Sequence, residues 1–140
     1  MSLEAEFGTN QKKEVEGVEI NDFTPNKDGT VPTFVIASTS RLNEDYYKVL
    51  EKETKPFRRA GGVVKAIGTK KAEAITFEVF LKTVLKGWRN VELDNQPLPF
   101  SIDNARMLFT RLPRLYDKLI ERANDIETFQ DEVREEEAGN

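Results

Sequence analysis

The side chains available for chemistry in this sequence are carboxylates, amines, hydroxyls and guanidinium groups, since the chain has no histidine and no cysteine. Without these two residue types it has neither the usual general base nor a thiolate nucleophile, and it lacks the commonest ligands for zinc. Disulfide bonds are equally impossible. We therefore expect no enzymatic activity, no metal and no other cofactor. The remoter alternative is an enzyme that uses only Ser, Lys, Asp, Glu and Tyr.

Two short motifs come close to known binding loops, but each lacks an essential feature. The segment "NKDG" resembles part of a calcium loop, yet the first and last ligand positions would be Thr24 and Val35, and neither supplies a carboxylate. The segment "AGGVVKAIGTKK" has glycines and lysines without the spacing of a phosphate-binding loop. Paired carboxylates are expected on solvated helix faces in a chain with 25 acidic residues. None of these patterns predicts a catalytic or metal site.

The most distinctive charge feature is a basic segment, residues 55–71. It contains six basic residues and no acidic one: Lys55, Arg58, Arg59, Lys65, Lys70 and Lys71. With Phe57 able to stack on a base, this segment could contact nucleic acid, but no recognition helix or aromatic array accompanies it. We favour a solvated loop, or one that pairs with acidic residues of the same or a neighbouring chain, such as the six acids within residues 127–137. Head-to-tail pairing of this kind would make the protein self-associate.

The elements predicted from periodicity give a mainly α fold, a small helical domain with an N-terminal β-hairpin. Residues 1–14 show no periodicity and are predicted to be a flexible tail, residues 15–130 a single mostly helical domain, and residues 131–140 an acidic flexible tail. Alternation of apolar residues over 18–20 and 33–37, on either side of "NKDG", predicts the hairpin. No apolar run approaches the length of a membrane span, so we expect a cytosolic protein.

Four helices are predicted after the hairpin. The first has Ser38, Ser40 and Asn43 as candidate N-caps and ends before Pro56. The second, over residues 71–88, repeats apolar residues at helical spacing with Gly87 as its C-terminal stop: Phe77, Phe80, Leu81, Val84, Leu85 and Trp88. Ser101 caps the third, and Pro113 either kinks it or begins a last helix, whose apolar stripe runs through Ile126 and Phe129 to Val133. Between the second and third helices, the prolines of "QPLPF" predict a stiff strap pinned to the core, whose apolar side chains could also anchor a partner.

The order of these segments resembles the tail assembly chaperones of long-tailed bacteriophages of the siphophage type. Members often carry "GW", then "PxPFS" followed by Asn and Leu, then a helix that closes on a phenylalanine. The resemblance covers residues 31–130 and rests on these positions: Gly87, Trp88, Pro97, Pro99, Phe100, Ser101, Asn104, Leu108 and Phe129.

The resemblance implies a non-enzymatic protein in the cytoplasm of the infected bacterial host. Such chaperones bind the tape measure protein during tail assembly, keep it soluble and yield their place to tail tube protein subunits. They are mainly helical, self-associate, and are made in a short form and a frameshifted longer form. On this reading we expect partner binding at two sets of residues. The apolar set is Trp88, Leu93, Phe100 and Phe109, and the basic set is Arg58, Arg59, Lys70 and Lys71.

Overall fold

The mainly α fold with an N-terminal β-hairpin is confirmed. The computed structural model describes residues 2–57 and 68–131 of the chain. In chain order these residues form α1 (Leu3–Phe7), α2 (Gln11–Glu16), β1 (Val18–Ile20), β2 (Thr33–Ile36), α3 (Glu44–Thr54), a 3-10 turn (Lys55–Phe57), α4 (Gly68–Val79), a π-helical turn (Phe80–Val84), β3 (Leu85–Arg89), β4 (Glu92–Leu93), β5 (Gln96–Pro97), α5 (Ile102–Arg111), α6 (Pro113–Asn124) and a second 3-10 turn (Ile126–Phe129).

The central sheet joins the predicted hairpin to a strand from much later in the chain. β2 lies in the middle and pairs antiparallel with β1 on one edge and with β3 on the other. Phe34 and Ile36, on the same face of β2, are buried and form the base of the core. Phe80, Phe109 and other apolar side chains from the helices pack against this face, so the sheet carries one contiguous core.

The predicted helix over residues 71–88 is wrong in its last turn, because the helix ends at Val84 and Trp88 lies on β3. Gly87 is therefore a strand residue paired with Val35, and it is not a helix stop. A bulge explains the error: Phe34 pairs with Trp88 and Ile36 with Leu85, so the intervening Lys86 has no partner. Leu85 and Trp88, three residues apart, thus face the same core, and their spacing imitates a helix.

The two helices that follow the strap begin where the sequence predicts. The Ser101 hydroxyl accepts a hydrogen bond from the Asn104 backbone N–H at 2.9 Å, the geometry of an N-cap. Pro113 is the first residue of α6, where its missing N–H costs nothing and its fixed φ suits a helix. Ser101 and Pro113 thus determine where α5 and α6 begin, and Pro113 lies at the corner between these two helices.

The last helix is shorter than predicted. It ends at Asn124, because Asp125 is extended and its side chain caps the next turn by accepting from the Glu127 N–H at 3.0 Å. Phe129 reaches the core from the 3-10 turn, whereas Ile126 is left exposed. The stripe beyond residue 124 is therefore not a continuous helix face, and Val133 lies outside the described residues.

The N-terminal residues form structure where the sequence predicted a tail. α1 and α2 lie within residues 1–16, with Ser2 and Asn10 as their N-caps. The Asn10 N–H donates to the Phe129 carbonyl at 2.8 Å, which joins the start of α2 to the last turn of the fold. Helices this short show no extended apolar periodicity, so only local signals such as the caps at Ser2 and Asn10 could have indicated them. Their flexibility, like that of residues 131–140, stays a prediction.

Candidate partner-binding surfaces

The strap, residues 88–100, begins at the end of β3 and is held to the core largely by hydrogen bonds. Asp94 and Asn95 both have left-handed φ, 53° and 62°, and form the two-residue turn that joins β4 to β5. The Trp88 indole N–H donates to the Leu98 carbonyl at 2.7 Å, and the Leu98 N–H donates to the Val91 carbonyl at 2.8 Å. The strap is thus a small hairpin followed by an extended stretch, and its path is set by hydrogen bonds as well as by its prolines.

The predicted apolar anchors on the strap are partly covered. Trp88 packs edge-on against Phe34 on its inner side and against Phe100 on its outer side, with ring centroids 5.7 and 5.1 Å apart. Trp88 and Leu93 are half-buried, and Phe100 is 37% exposed. The structure therefore brings Trp88 and Phe100 together, with Phe100 presenting the most accessible apolar surface of the three.

Phe109, the fourth predicted apolar anchor, needs correction because it belongs to the core. Its side chain is 2% exposed and touches the rings of Phe34, Phe77, Phe80 and Tyr116. The sequence predicts Phe109 as one of four apolar residues at a partner-binding surface, whereas α5 turns it inwards along with Leu108. Phe109 can support the exposed side chains that contact a partner, but it is too buried to contact a partner as an exposed anchor.

Phe109 contributes instead to the floor of an open groove of about 1040 Å³ between α4 and the α5 to α6 corner. We call this the α4–α6 groove. The rings of Phe77 and Tyr116 meet edge to face at 5.1 Å beside Phe109 and complete an aromatic floor. The walls are formed by the rest of its lining: Gly68, Thr69, Lys70, Ala72, Glu73, Ala74, Thr76, Thr110, Pro113 and Asp117.

The floor of the α4–α6 groove also carries one polar group. Burial raises the pKa of Tyr116 to about 12, with smaller contributions from Tyr46, Asp117 and Glu73. The phenol is therefore protonated at neutral pH and available as a hydrogen-bond donor. Within residues 2–57 and 68–131 no partner accepts a hydrogen bond from it. An apolar floor with one polar group is typical of sites that bury a partner side chain and fix its orientation.

The predicted basic set is described only in part. Arg58 and Arg59 lie outside the described residues. Lys70 and Lys71 are exposed on the first turns of α4, where Lys70 lines the α4–α6 groove. The Lys71 ammonium lies 5.4 Å from the centre of the Phe57 ring, so a cation–π contact occupies the aromatic ring that could have stacked on a nucleic-acid base.

Sequence reasoning missed two floor residues of the groove and two exposed residues at the N terminus. Phe77 lies on the apolar stripe predicted for the second helix and Tyr116 beside the stripe predicted for the last helix, and nothing in their spacing separates a groove floor from a core. Leu3 and Phe7 were assigned to a tail, although Ser2 before them and their spacing of four residues are a short helix signal. Their side chains are 76% and 62% exposed.

Two further observations concern metal ligands and membrane-spanning helices in residues 2–57 and 68–131. In this part of the chain, no group of three or more carboxylates is arranged to hold a metal ion. None of the helices within residues 2–57 and 68–131 is long and apolar enough to cross a membrane.

Comparison with known proteins gives one family. The model of the family described as YdaY prophage protein matches residues 42–140, which is well over half of the chain. This match includes α3 to α6, the strap and the α4–α6 groove. No curated protein and no solved structure gives a significant match.

Proposed function

The chain belongs to the YdaY prophage protein family, and from this premise we propose that it is a tail assembly chaperone of the prophage. It binds the tape measure protein during tail morphogenesis, keeps that protein soluble and recruits tail tube protein subunits. Such a role is non-enzymatic and belongs to the cytoplasm of the infected bacterial host. Two observations support the proposal: the phage origin of the family, and the resemblance of the "GW" and "PLPFS" segments to those of tail assembly chaperones.

The observation that carries the proposal is the aromatic floor of the α4–α6 groove. Long helical clients expose apolar stripes before they assemble, and a partner that covers such a stripe protects it from aggregation. A groove floored by Phe77 and Tyr116 and open along its length suits a row of apolar side chains from a helix. A closed cavity would instead suit a small ligand.

The rim of the groove supports an amphipathic client. Lys70 lies on the α4 wall, Asp117 lies on the α6 wall, and Glu73 adds a second carboxylate. Charges of both signs around an apolar floor match a helix whose stripe is flanked by acidic and basic residues. The half-buried Tyr116 hydroxyl gives the client one donor to match, which would add selectivity to apolar contact.

Co-expression with the tape measure protein of the same prophage tests this proposal. Ala74 is exposed on the groove wall, so Ala74→Arg should fill the groove without disturbing the core. We expect this variant to lose the increase in soluble tape measure protein that the wild-type chain produces after lysis and centrifugation. Met107→Arg is the matched control, since Met107 is exposed on α5 and does not line the groove. Equal client solubility with both variants would refute the assignment to the groove.

The rival function is a small nucleic-acid-associated regulatory protein that uses the basic segment 55–71. Salt titration separates the two functions. Binding to nucleic acid should weaken by about 0.9 log units per log unit of salt for each phosphate neutralised, whereas a mostly apolar contact with a client should weaken far less. A steep salt dependence for nucleic acid, with no effect of the chain on the client, would favour the rival.

A further inference from the structure

The two ends of the strap line an open pocket of about 310 Å³, which we call the strap pocket. Trp88 and Glu92 belong to the first end, and Pro97, Pro99 and Phe100 belong to the second. The turn that precedes β2 contributes further lining. Among the described residues, none lines both the strap pocket and the α4–α6 groove, so the two are separate surfaces.

The apolar part of the strap pocket includes two aromatic rings. The rings of Trp88 and Phe100 meet edge to face with their centroids 5.1 Å apart, and Phe100 is 37% exposed. Trp88 is half-buried, so part of its side chain remains accessible. The face of an aromatic ring carries partial negative charge and attracts a cation, most strongly when the ring is that of tryptophan. The strap pocket can therefore bind a positively charged group through its rings.

Two carboxylates line the strap pocket together with these rings. Asp28 lies in the turn before β2 and Glu92 lies on β4, and both are exposed. Hydrogen bonds from the Thr30 hydroxyl at 2.6 Å and the Thr30 backbone N–H at 3.0 Å lower the pKa of Asp28 below its ordinary value of 3.8. Asp28 is thus charged at neutral pH. Neither carboxylate forms an ion pair within residues 2–57 and 68–131.

The basic residue in the described lining does not neutralise these carboxylates. Arg89 is already paired with Glu19 on β1, because its two terminal nitrogens donate to the two carboxylate oxygens at 2.7 and 2.9 Å. Lys27 precedes Asp28 in the sequence but does not line the pocket. With the charge of Arg89 balanced by Glu19, the strap pocket keeps the negative charges of Asp28 and Glu92.

We propose that the strap pocket binds an arginine side chain of a partner protein. A guanidinium is favoured over an ammonium because it is planar, stacks on aromatic rings and donates several hydrogen bonds to carboxylates. The occupant belongs to a protein because the pocket is open and its carboxylates are exposed, so it encloses too little of a free amine to hold it. The exposed Pro97 and Pro99 add apolar contact for the residues that flank the arginine.

Peptide titration followed by heteronuclear NMR tests this proposal on the full chain. Trp88 is the chain's only tryptophan, so its indole N–H gives a single resonance that reports on the pocket. The peptide acetyl-Leu-Arg-Leu-amide should shift this resonance saturably in the millimolar range. The same peptide with citrulline in place of arginine keeps the shape but not the charge, and it should bind about tenfold more weakly. No saturable shift, or equal binding of the citrulline peptide, would overturn the proposal.

A lysine peptide tests the choice of arginine. Acetyl-Leu-Lys-Leu-amide carries the same charge without a planar guanidinium, so we expect it to bind about threefold more weakly than the arginine peptide. Equal or tighter binding of the lysine peptide would contradict that choice.

Removal of the two carboxylates tests the source of the charge complementarity. Asp28→Asn/Glu92→Gln should weaken binding of the arginine peptide by about fivefold or more, and Asn retains an oxygen that can accept from Thr30. Glu4→Gln/Glu6→Gln is the matched control, since it changes the net charge equally at two exposed residues that do not line the pocket. Equal weakening in both variants would mean that overall charge, and not this pocket, attracts the peptide.

Replacement of the exposed ring tests the aromatic contribution. Phe100→Leu keeps an apolar side chain but removes the ring, and it should weaken binding of the arginine peptide by about threefold. Phe7→Leu, at a phenylalanine that is 62% exposed and does not line the pocket, is the control and should bind as the wild type does. Unchanged binding by Phe100→Leu would contradict the role of the ring. Because no client is present, these results are distinguishable from failure of the chaperone function.

Discussion

The strap and α1, which we call the arm, are both short apolar segments at the surface, but they are attached in opposite ways. On the strap, Trp88 is fixed by a hydrogen bond to the Leu98 carbonyl and by the rings on either side of it. On the arm, Leu3 and Phe7 have no ring contact within the described chain and are mostly exposed. The strap therefore stabilises the fold, whereas the side chains of α1 add little to the packing of the described residues.

This difference separates apolar residues that pack within the described fold from those that stay exposed. Aromatic content alone does not make the distinction, because the strap contains more aromatic side chains than the arm. The distinction depends on whether each side chain packs against other side chains of the same chain. The following predictions test the contrast through stability, and they are arranged from the largest expected effect to the smallest.

Trp88→Ala should cause the largest loss of stability. It removes the contacts with Phe34 and Phe100 and leaves the Leu98 carbonyl without its donor, so the free energy of unfolding should fall by about 3 kcal/mol. Chemical denaturation followed by circular dichroism measures this, since Trp88 is the chain's only tryptophan and its fluorescence is lost in the variant. A loss below about 1 kcal/mol would mean that the strap is not pinned as described.

Gly17→Ala should destabilise the junction between the N-terminal helices and the sheet. Gly17 has φ of 104°, and an added Cβ would lie 2.9 Å from a Val35 methyl group and 3.0 Å from the Ile36 carbonyl. The steric conflict adds to the strain of a positive φ, and we expect a loss of about 2 kcal/mol. Gly29→Ala is the control, because its φ is also positive at 86° but its Cβ would lie in open space. The melting temperature should fall more for Gly17→Ala than for Gly29→Ala.

The ion pair between α4 and α5 should make stability depend on pH. Arg106 binds both carboxylate oxygens of Glu78, at 2.8 and 2.9 Å, and this hydrogen bonding lowers the pKa of Glu78 below its ordinary value of 4.5. Since the folded-state pKa is the lower one, the stabilisation is complete above pH 4.5 and is lost as the pH falls through the folded-state pKa. Both side chains are partly exposed, so the contribution is about 0.5 to 1 kcal/mol.

Glu78→Gln measures this contribution directly. The difference in unfolding free energy between wild-type and variant protein should be present at pH 7 and disappear in strongly acidic solution. Glu121→Gln, at an exposed α6 position that forms no ion pair within the described residues, is the control and should show little difference at either pH. A difference that persists unchanged at acidic pH would mean that the charge of Glu78 is not the source of the stabilisation.

Phe7→Ser should have the smallest effect on stability of the four. Phe7 is 62% exposed and belongs to a helix without buried residues, so the monomer should lose less than about 0.5 kcal/mol. Thermal unfolding at a concentration low enough to keep the protein monomeric measures this. A loss as large as that of Trp88→Ala would remove the contrast between arm and strap.

The sequence predicted elements whose signals are local. The cap at Ser101, the helix start at Pro113 and the alternation on either side of "NKDG" each depend on a few neighbouring residues, and the structure places helices and strands at these positions. The position of β3 was not predictable in this way. Its apolar residues acquire helical spacing because of a bulge against β2, a strand about fifty residues earlier in the chain.

The candidate surfaces were less predictable than the fold, for a related reason. Whether Phe109 is exposed or covered depends on the orientation of α5 against α4, and the same is true of the groove floor at Phe77 and Tyr116. Apolar periodicity indicates which face of a helix is apolar, but it does not indicate which other element, if any, covers that face. Trp88 and Phe100 were both predicted as partner-binding residues, but Trp88 was assigned to the end of a helix, and the contact between the two rings appears only in the structure.

Site-specific photo-crosslinking during co-expression with the tape measure protein tests the central claim most directly. A photoreactive residue at Ala74, on the wall of the α4–α6 groove, should crosslink to the tape measure protein, and the same residue at Met107 should not. Tape measure peptides identified by mass spectrometry from the Ala74 crosslink should share an apolar helical stripe. Absence of a crosslink at Ala74, or equal crosslinking at Met107, would contradict the assignment of client binding to this groove.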